Sequence, residues 1–241
     1  MIHATAIVHP DAKLAVNVEI GPYSVIGEHV EIGEGSVIGP HCVITGRTRI
    51  GRENRVFQFS SIGEIPQDKK YAGEPTRLEI GDRNTIREYC NFNIGTAQDA
   101  GVTRIGDDNW FMASVHIGHD CQIGNQTNNV TLGGHVHVGD WTILGGMAAV
   151  HQFVHVGEHT MAGGGSIITQ DIPPYVLCSG HPVVPHGVNS EGLKRRGFSS
   201  EQIMAIKRAY KAIYRQNLSM EEARQKISEW AVETPVLQSF L

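Results

Sequence analysis

Along the first quarter of the chain an aliphatic residue returns at every sixth position: Val8, Leu14, Ile20, Ile26, Ile32, Ile38, Ile44, Ile50, Val56 and Ile62. Glycine follows six of them, at Gly21, Gly27, Gly33, Gly39, Gly51 and Gly63, and the positions two before are mostly small or branched (Val18, Ser24, Val30, Ser36, Cys42, Thr48). An α-helix repeats near 3.6 and a lone strand at 2, so neither yields a strict period of six. The period fits a left-handed parallel β-helix, with three short strands in each 18-residue triangular coil and every inward aliphatic stacked on its equivalent one coil away. Left-handed crossovers are rare, so the repeat itself carries the inference. The alternative is a glycine-rich β-sandwich.

Where the period breaks, the chain leaves the coil. The phase resumes at Ile80, Ile86 and Phe92, but the slots between hold Asp68 and Glu74, which could not face a dry core uncompensated. Residues 64–78 are therefore read as an excursion loop. A second excursion near 93–103 resets the phase to Ile105, Phe111, Ile117 and Ile123. The last run is Leu132, Val138, Leu144, Val150, Val156, Ala162 and Ile168, and the step from Ile123 to Leu132 is nine residues. A triangular coil is expected to distort on losing three residues.

Pro173 and Pro174 end the strands. Ser199 with Gln202, and Ser219 with Glu222, read as capping boxes of two helices. Ile203, Ile206, Tyr210 and Ile213 form one apolar face, and Ala223, Ile227 and Trp230 the other. The expected organisation is a β-helix over 1–185 and a small helical domain over 186–241 that caps its open end.

Composition narrows the function classes. Glycine is abundant (28 residues) and aromatics sparse (7%), as suits many tight corners. A net charge of −5 argues against whole-molecule attraction to nucleic acid or an anionic membrane. No run approaches the roughly 18 apolar residues of a membrane span, and "MIHATAIVHPDAKL" lacks the features of a secretory signal. Cys42, Cys90, Cys121 and Cys178 form no CxxC; they read as reduced thiols in a cytoplasmic protein.

The candidate chemistry lies in "ASVHIGHDCQIGN" (113–125). His119 is two places past an inward isoleucine, so it projects outward or along a wall. Gln152 lies 18 residues after Gly134, and Gly134 15 after His119. Allowing for the three residues lost at the slip, His119, Gly134 and Gln152 share one column. A histidine beside a glycine N–H makes a general base with an oxyanion donor, and Asp120 could fix its tautomer. The rival is a metal: His116, His119, His135 and His137 could supply imidazoles, although no closed set has a conventional ligand spacing. Most of the 13 histidines read as wall or surface residues. In "EGLKRRGF" (191–198), Lys194, Arg195 and Arg196 are either a solvated basic surface or a clamp for phosphate. Lys207, Arg208, Lys211 and Arg215 extend this character along the first helix and suggest an acidic protein partner. No Walker or Rossmann glycine loop is present.

The stretches "IGPHCVI", "QDKKYAGEPTRLEIGDRNTIRE", "HIGHDC", "GGMAAVHQF", "QDIPPYV" and "GVNSEGLKRRGF" resemble the bacterial acyl-[acyl-carrier-protein]–UDP-N-acetylglucosamine O-acyltransferases that begin lipid A biosynthesis, over essentially the whole chain. The resemblance implies transfer of a 3-hydroxyacyl chain from acyl carrier protein to the sugar 3-hydroxyl. His119 would be the base, Asp120 its assistant and the Gly134 N–H the oxyanion donor. Gln67, Asp68, Lys70, His116, Gln152, Asn189, Glu191, Arg195 and Arg196 match positions that hold the UDP-sugar or the acyl chain. His135 and His151 match cleft-lining positions. Gly164 falls at the acyl-length ruler, where glycine implies a longer chain. The family also implies a homotrimer with sites between subunits, no metal, and no cofactor beyond the carrier's phosphopantetheine.

The chain departs from the family at three points. Asn93 and Ile94 stand where histidine and arginine are usual, and His181 where asparagine is common. The family also has about three more residues between Thr127 and Asn128. A slip there is expected to damage the oxyanion geometry, which favours the reading that the sequence in hand lacks residues of the working protein. The alternatives are the later N-acyltransferase of the same pathway, which lacks "EGLKRRGF"; a zinc carbonic anhydrase of the γ type on the same β-helix; and a non-catalytic scaffold or adhesin, for which His119→Ala would be silent.

Overall fold

The computed structural model describes all 241 residues. The hexads wind into a left-handed parallel β-helix whose three faces are sheets of nine, eight and ten strands, here faces 1, 2 and 3 in the order the chain visits them. Most strands are two residues long, an outward residue followed by the buried hexad aliphatic. Each pairs with its equivalent one coil on, as Ile26 with Ile44 on face 1 and Ile32 with Ile50 on face 2. From Ile20 onward the aliphatic column is buried, as are the small residues two positions before it. These stack into one core along the prism, with Phe92 and Phe111 edge to face at 4.9 Å.

The third residue after the inward aliphatic sits in the left-handed region at corner after corner, including Tyr23, His41, Phe59, Asp120 (φ 58°) and His135 (φ 59°). This conformation is unfavourable for a side-chain-bearing residue by about 1–2 kcal/mol. Ladder bonds between coils hold it.

Both excursions leave from the edge between faces 1 and 2. One runs from strand Ser61–Glu64 to strand Arg77–Ile80, the other from Asn91–Asn93 to Val102–Ile105. They stretch the coil step, so that Ile62 pairs with Phe92 and Phe92 with Ile117.

The nine-residue step is resolved on a different edge. Strands Asn128–Asn129 and Thr131–Leu132 are joined by Val130 alone, where the preceding corner spends the four residues 124–127. Ile117 pairs with Leu132, and Leu132 with Val150, so face 1 keeps its register. The coil thus absorbs the loss at the edge between faces 3 and 1. Its mark is Asn129, fully buried in an aliphatic slot with Oδ1 unpartnered and opposite Phe111.

Past Pro173 and Pro174 the chain makes one more pass, Val176–Ser179, then an antiparallel return, Val184–Val188. Helix α1 (Ser190–Arg195) starts at the Asn189 cap, followed by α2 (Ser200–Tyr214) and α3 (Met220–Ala231). Both expected capping boxes are formed. Ile203, Ile206, Ala223 and Ile227 are buried, and Tyr175 joins the prism to this cluster through its hydroxyl bonds to Glu158, Ser239 and the Val236 carbonyl.

Candidate active site

On the edge between faces 1 and 2, three successive corners place His119 beneath Gly134 and Gly134 beneath Gln152. The His135 N–H donates to the His119 carbonyl at 2.8 Å, and the Phe153 N–H to the Gly134 carbonyl at 3.0 Å. The slip therefore leaves this column in register, and the distortion expected beside it does not reach these corners. A Cβ built on Gly134 would lie 2.6 Å from both Cε1 and Nε2 of His119. Glycine is required there, and the absence of a side chain leaves Nε2 facing the glycine backbone. The Gly134 N–H donates to no carbonyl, so it is free for an incoming acceptor.

His119 is oriented from its other side. Its Nδ1 pairs with Asp120 Oδ2 at 2.9 Å, and the Asp120 side chain is fully buried. As a carboxylate is an acceptor only, the bond places the proton on Nδ1 and leaves Nε2 basic. Burial pushes the Asp120 carboxyl up. Hydrogen bonds from His119 and from the Thr96 side chain and N–H outweigh that and hold it below the usual carboxylate range. Thr96 sits in the second excursion and donates to Asp120 from Oγ1 at 2.7 Å and from its N–H at 2.9 and 3.0 Å.

A second imidazole faces the first. The His135 ring meets His119 edge-on at 4.8 Å, lies flat on Phe153 at 4.4 Å, and pairs through Nδ1 with Asp99 at 2.7 Å. His116 is half-buried against Asn91, 2.9 Å from Nδ1; burial first, and the neighbouring His119 second, lower its pKa. Cys121 is buried beneath this corner, and burial pushes its thiol up to about 12. It is therefore a poor nucleophile.

The first excursion folds over this edge and encloses a polar cleft of about 380 Å³ lined by Gln67, Asp68, Lys70, His116, His119, Gly134, His135 and Gln152, together with Asn93, Gln98, Gly118 and Phe153. Eight residues singled out in the sequence thus converge. Asn93, one of the departures, is buried, and its amide donates to the Glu64 and Ile65 carbonyls.

The remaining candidates lie elsewhere. His151 is on the same edge, exposed, and donates back to the Gln152 carbonyl. Gly164 belongs to the edge between faces 3 and 1, where a Cβ would stand 3.2 Å from the Gly146 carbonyl. Asn189, Glu191, Arg195 and Arg196 gather near the third edge, between faces 2 and 3. There Asn189 caps α1 and donates to the His159 carbonyl, while Arg196 donates to His159 Nδ1 at 3.0 Å and lies over Trp141. Glu191 and Arg195 are exposed, and Glu191 pairs with Lys194. Within one chain these four are not in the cleft.

One metal-capable set exists: His119, Asp120 and His135 offer atoms within 4.8 Å of one another. Both Nδ1 atoms are engaged by carboxylates. His137 stacks on His155 at 4.2 Å, apart from this set. Sequence reasoning missed Thr96, Gln98, Asp99 and Phe153. The first three lie in an excursion where the hexad assigns no positions.

The UDP N-acetylglucosamine O-acyltransferase family, in its domain 2, matches residues 171–241, and the six-repeat bacterial transferase hexapeptide family matches residues 11–46. An acyl-[acyl-carrier-protein]–UDP-N-acetylglucosamine O-acyltransferase of Herminiimonas arsenicoxydans is 63% identical over 93% of this chain and 87% of its own length. That of Thiobacillus denitrificans is 60% identical over all of this chain and 94% of its own. The solved UDP-N-acetylglucosamine acyltransferase of Francisella novicida superposes with a TM-score of 0.98 at 44% identity, covering all of this chain and 89% of that one.

Proposed function

The chain belongs to the acyl-[acyl-carrier-protein]–UDP-N-acetylglucosamine O-acyltransferase family, and from that premise and the cleft geometry we propose that it moves a 3-hydroxyacyl group from acyl carrier protein to the 3-hydroxyl of UDP-N-acetylglucosamine, the first step of lipid A biosynthesis. The observation that carries this is the His119 imidazole, held by Asp120 at Nδ1 and facing Gly134 at Nε2. Nε2 takes the proton of the sugar hydroxyl as its oxygen attacks the thioester carbonyl. The Gly134 N–H stabilises the oxyanion that forms. Collapse breaks the carbon–sulfur bond, and the departing phosphopantetheine thiolate takes the proton back from His119. A base and an N–H donor suffice, so the reaction needs no enzyme-bound acyl intermediate, metal or further cofactor.

Gln67, Asp68, Lys70, His116, His135 and Gln152 are the residues we assign to substrate within the cleft. Asn189, Glu191, Arg195 and Arg196 suit a diphosphate, yet stand near another edge of the prism. A homotrimer with sites between subunits reconciles the two, each copy lending that edge to a neighbour's cleft, with His151 at the seam. Gly164 leaves its edge open for the longer acyl chain. The basic face of α2 offers a landing site for the acidic carrier protein. No helix is long and apolar enough to cross a membrane, and the cytoplasm is the compartment we propose.

The test is transfer from 3-hydroxyacyl carrier proteins of short and long chain to UDP-N-acetylglucosamine, with His119→Ala beside the unaltered chain. Loss of a general base is expected to lower kcat by about 10²- to 10⁴-fold. Equal rates in the two proteins would refute the assignment.

A further inference from the structure

We propose that Thr96 and Asp99, both carried by the excursion between strands Asn91–Asn93 and Val102–Ile105, are positioning residues that hold the two facing imidazoles of the cleft. The inference rests on the transfer reading above and adds to it an active role for a loop outside the repeat.

The wall supplies His119 and Asp120 on one corner and His135 on the next, and each corner fixes the backbone only. Rotation of the side chains is restrained by the loop. Thr96 gives Asp120 three close contacts, two from its N–H and one from its hydroxyl, across 24 residues of sequence. Two of the three land on Oδ2, the oxygen that also meets His119 Nδ1, and the N–H is shared with Oδ1, so the carboxylate is pinned with Oδ2 aimed at Nδ1. Thr96 is buried, and a Cβ on the adjacent Gly95 would stand 2.7 Å from Asp120 Oδ1. The loop backbone is thus pressed against the carboxylate, and the still closer approach to the backbone of Gly101 and Val102 also reserves position 95 for glycine.

Three residues on, Asp99 reaches His135 Nδ1 at 2.7 Å across 36 residues of sequence. This bond and the stacking on Phe153 set the His135 ring, whose edge-on contact with His119 closes one side of the base. Both imidazoles therefore carry a carboxylate on Nδ1, the first within the wall and the second from the loop. The loop touches both pairs, so its seating couples them. Partners that orient a working side chain at one remove commonly change activity by about 10- to 100-fold when removed.

The experiment compares the full-length chain with Thr96→Val, Thr96→Ser and Asp99→Asn, reading kcat and the KM for UDP-N-acetylglucosamine separately. Thr96→Val, which keeps the shape and removes the hydroxyl, is expected to lower kcat about 10-fold or more while KM moves little. Thr96→Ser is expected to restore most of the loss, and Asp99→Asn to cost less than Thr96→Val, again in kcat. ¹⁵N-histidine NMR of the substrate-free protein supplies a readout independent of turnover: His119 is expected as the Nδ1–H tautomer in the unaltered chain and as a mixture in Thr96→Val. A kcat for Thr96→Val within twofold of the unaltered chain, or a Thr96→Ser no better than it, would overturn the proposal. If the unaltered chain transfers nothing, the function reading fails by itself and the tautomer decides this inference, an unchanged His119 sinking it. Should Thr96→Val misfold, Asp99→Asn carries the test, its site being 44% exposed.

Discussion

The corners at His119 and Val130 treat the hexad differently. At His119 the corner keeps its full four residues, Gly118 to Cys121, and every one is engaged: the glycine packs under Gly133, His119 faces Gly134, Asp120 is locked and Cys121 donates to a carbonyl. At Val130 the corner is cut to one residue, and the inward slot just before it holds an asparagine with an orphaned oxygen. Yet the prism continues through both. A coil's corners lie on separate edges, so a defect on one edge need not propagate to another while the ladders between coils hold. The cleft occupies one edge, and the structural loss is absorbed on another.

Perturbing the two corners should therefore move different observables. The largest effect is expected from Asp120→Asn. The neutral amide offers His119 a donor as readily as an acceptor and loses hold of the Nδ1–H tautomer, so kcat should fall by about 10²- to 10⁴-fold at little change in thermal midpoint. Steady-state kinetics beside a melting curve checks this, and a fall in stability without loss of rate would show that the acid serves the fold.

Gly134→Ala comes next. Its methyl would be driven into the imidazole, and a loss of about 100-fold in kcat is expected from displacing base and oxyanion donor together. At the cut corner the sign reverses: Asn129→Val removes a buried Oδ1 that has no partner, at the loss of the Nδ2 bond to Thr127 Oγ1, and supplies the aliphatic the hexad wants. It should stabilise the chain by about 1–3 kcal/mol in urea titration and leave transfer unchanged. Any loss of rate there would mean that the edges are coupled.

The smallest effect concerns acid. Asp120 has its carboxyl lowered in the fold relative to the roughly 3.9 of an unfolded aspartate. Its contribution to stability is therefore present above that unfolded value and is lost as pH falls through the lower folded one. The urea midpoint of the unaltered chain should fall more steeply below about pH 4 than that of Asp120→Asn. Parallel slopes would contradict the assignment.

The prism was legible from residues alone, because a hexad aliphatic must face inward and its spacing counts the faces. The column of His119, Gly134 and Gln152 followed from the same count. The nine-residue step was visible too, but not its consequence: which edge is cut depends on how strands re-pair, and Ile117 pairing with Leu132 protects the column. The first excursion was recognised by Asp68 and Glu74 in core slots and the second by the reset of the phase, whereas their landing places were hidden. Nothing local in "GTAQD" announces that its threonine and aspartate end on Asp120 and His135, since those contacts form only once the coils bring distant corners together. Arg196 was picked out for its chemistry and Asn189 by the resemblance alone, and their separation from the cleft within one chain emerged only from the faces.

The left-handed corner residue gives the fold a row of interchangeable sockets. Tyr23, His41, Phe59 and Tyr89 fill it on the edge between faces 3 and 1 as a solvent-facing stack with ring centres 5.1–5.3 Å apart, while Asp120 and His135 fill the same place on the edge that carries the cleft. The backbone twist is imposed by neighbouring coils rather than chosen by the occupant, so aromatic, acid and imidazole are all tolerated at similar strain. A new side chain can thus be tried at a corner without re-solving the path of the chain, and one prism can accumulate a reaction centre on one ridge while its other ridges drift.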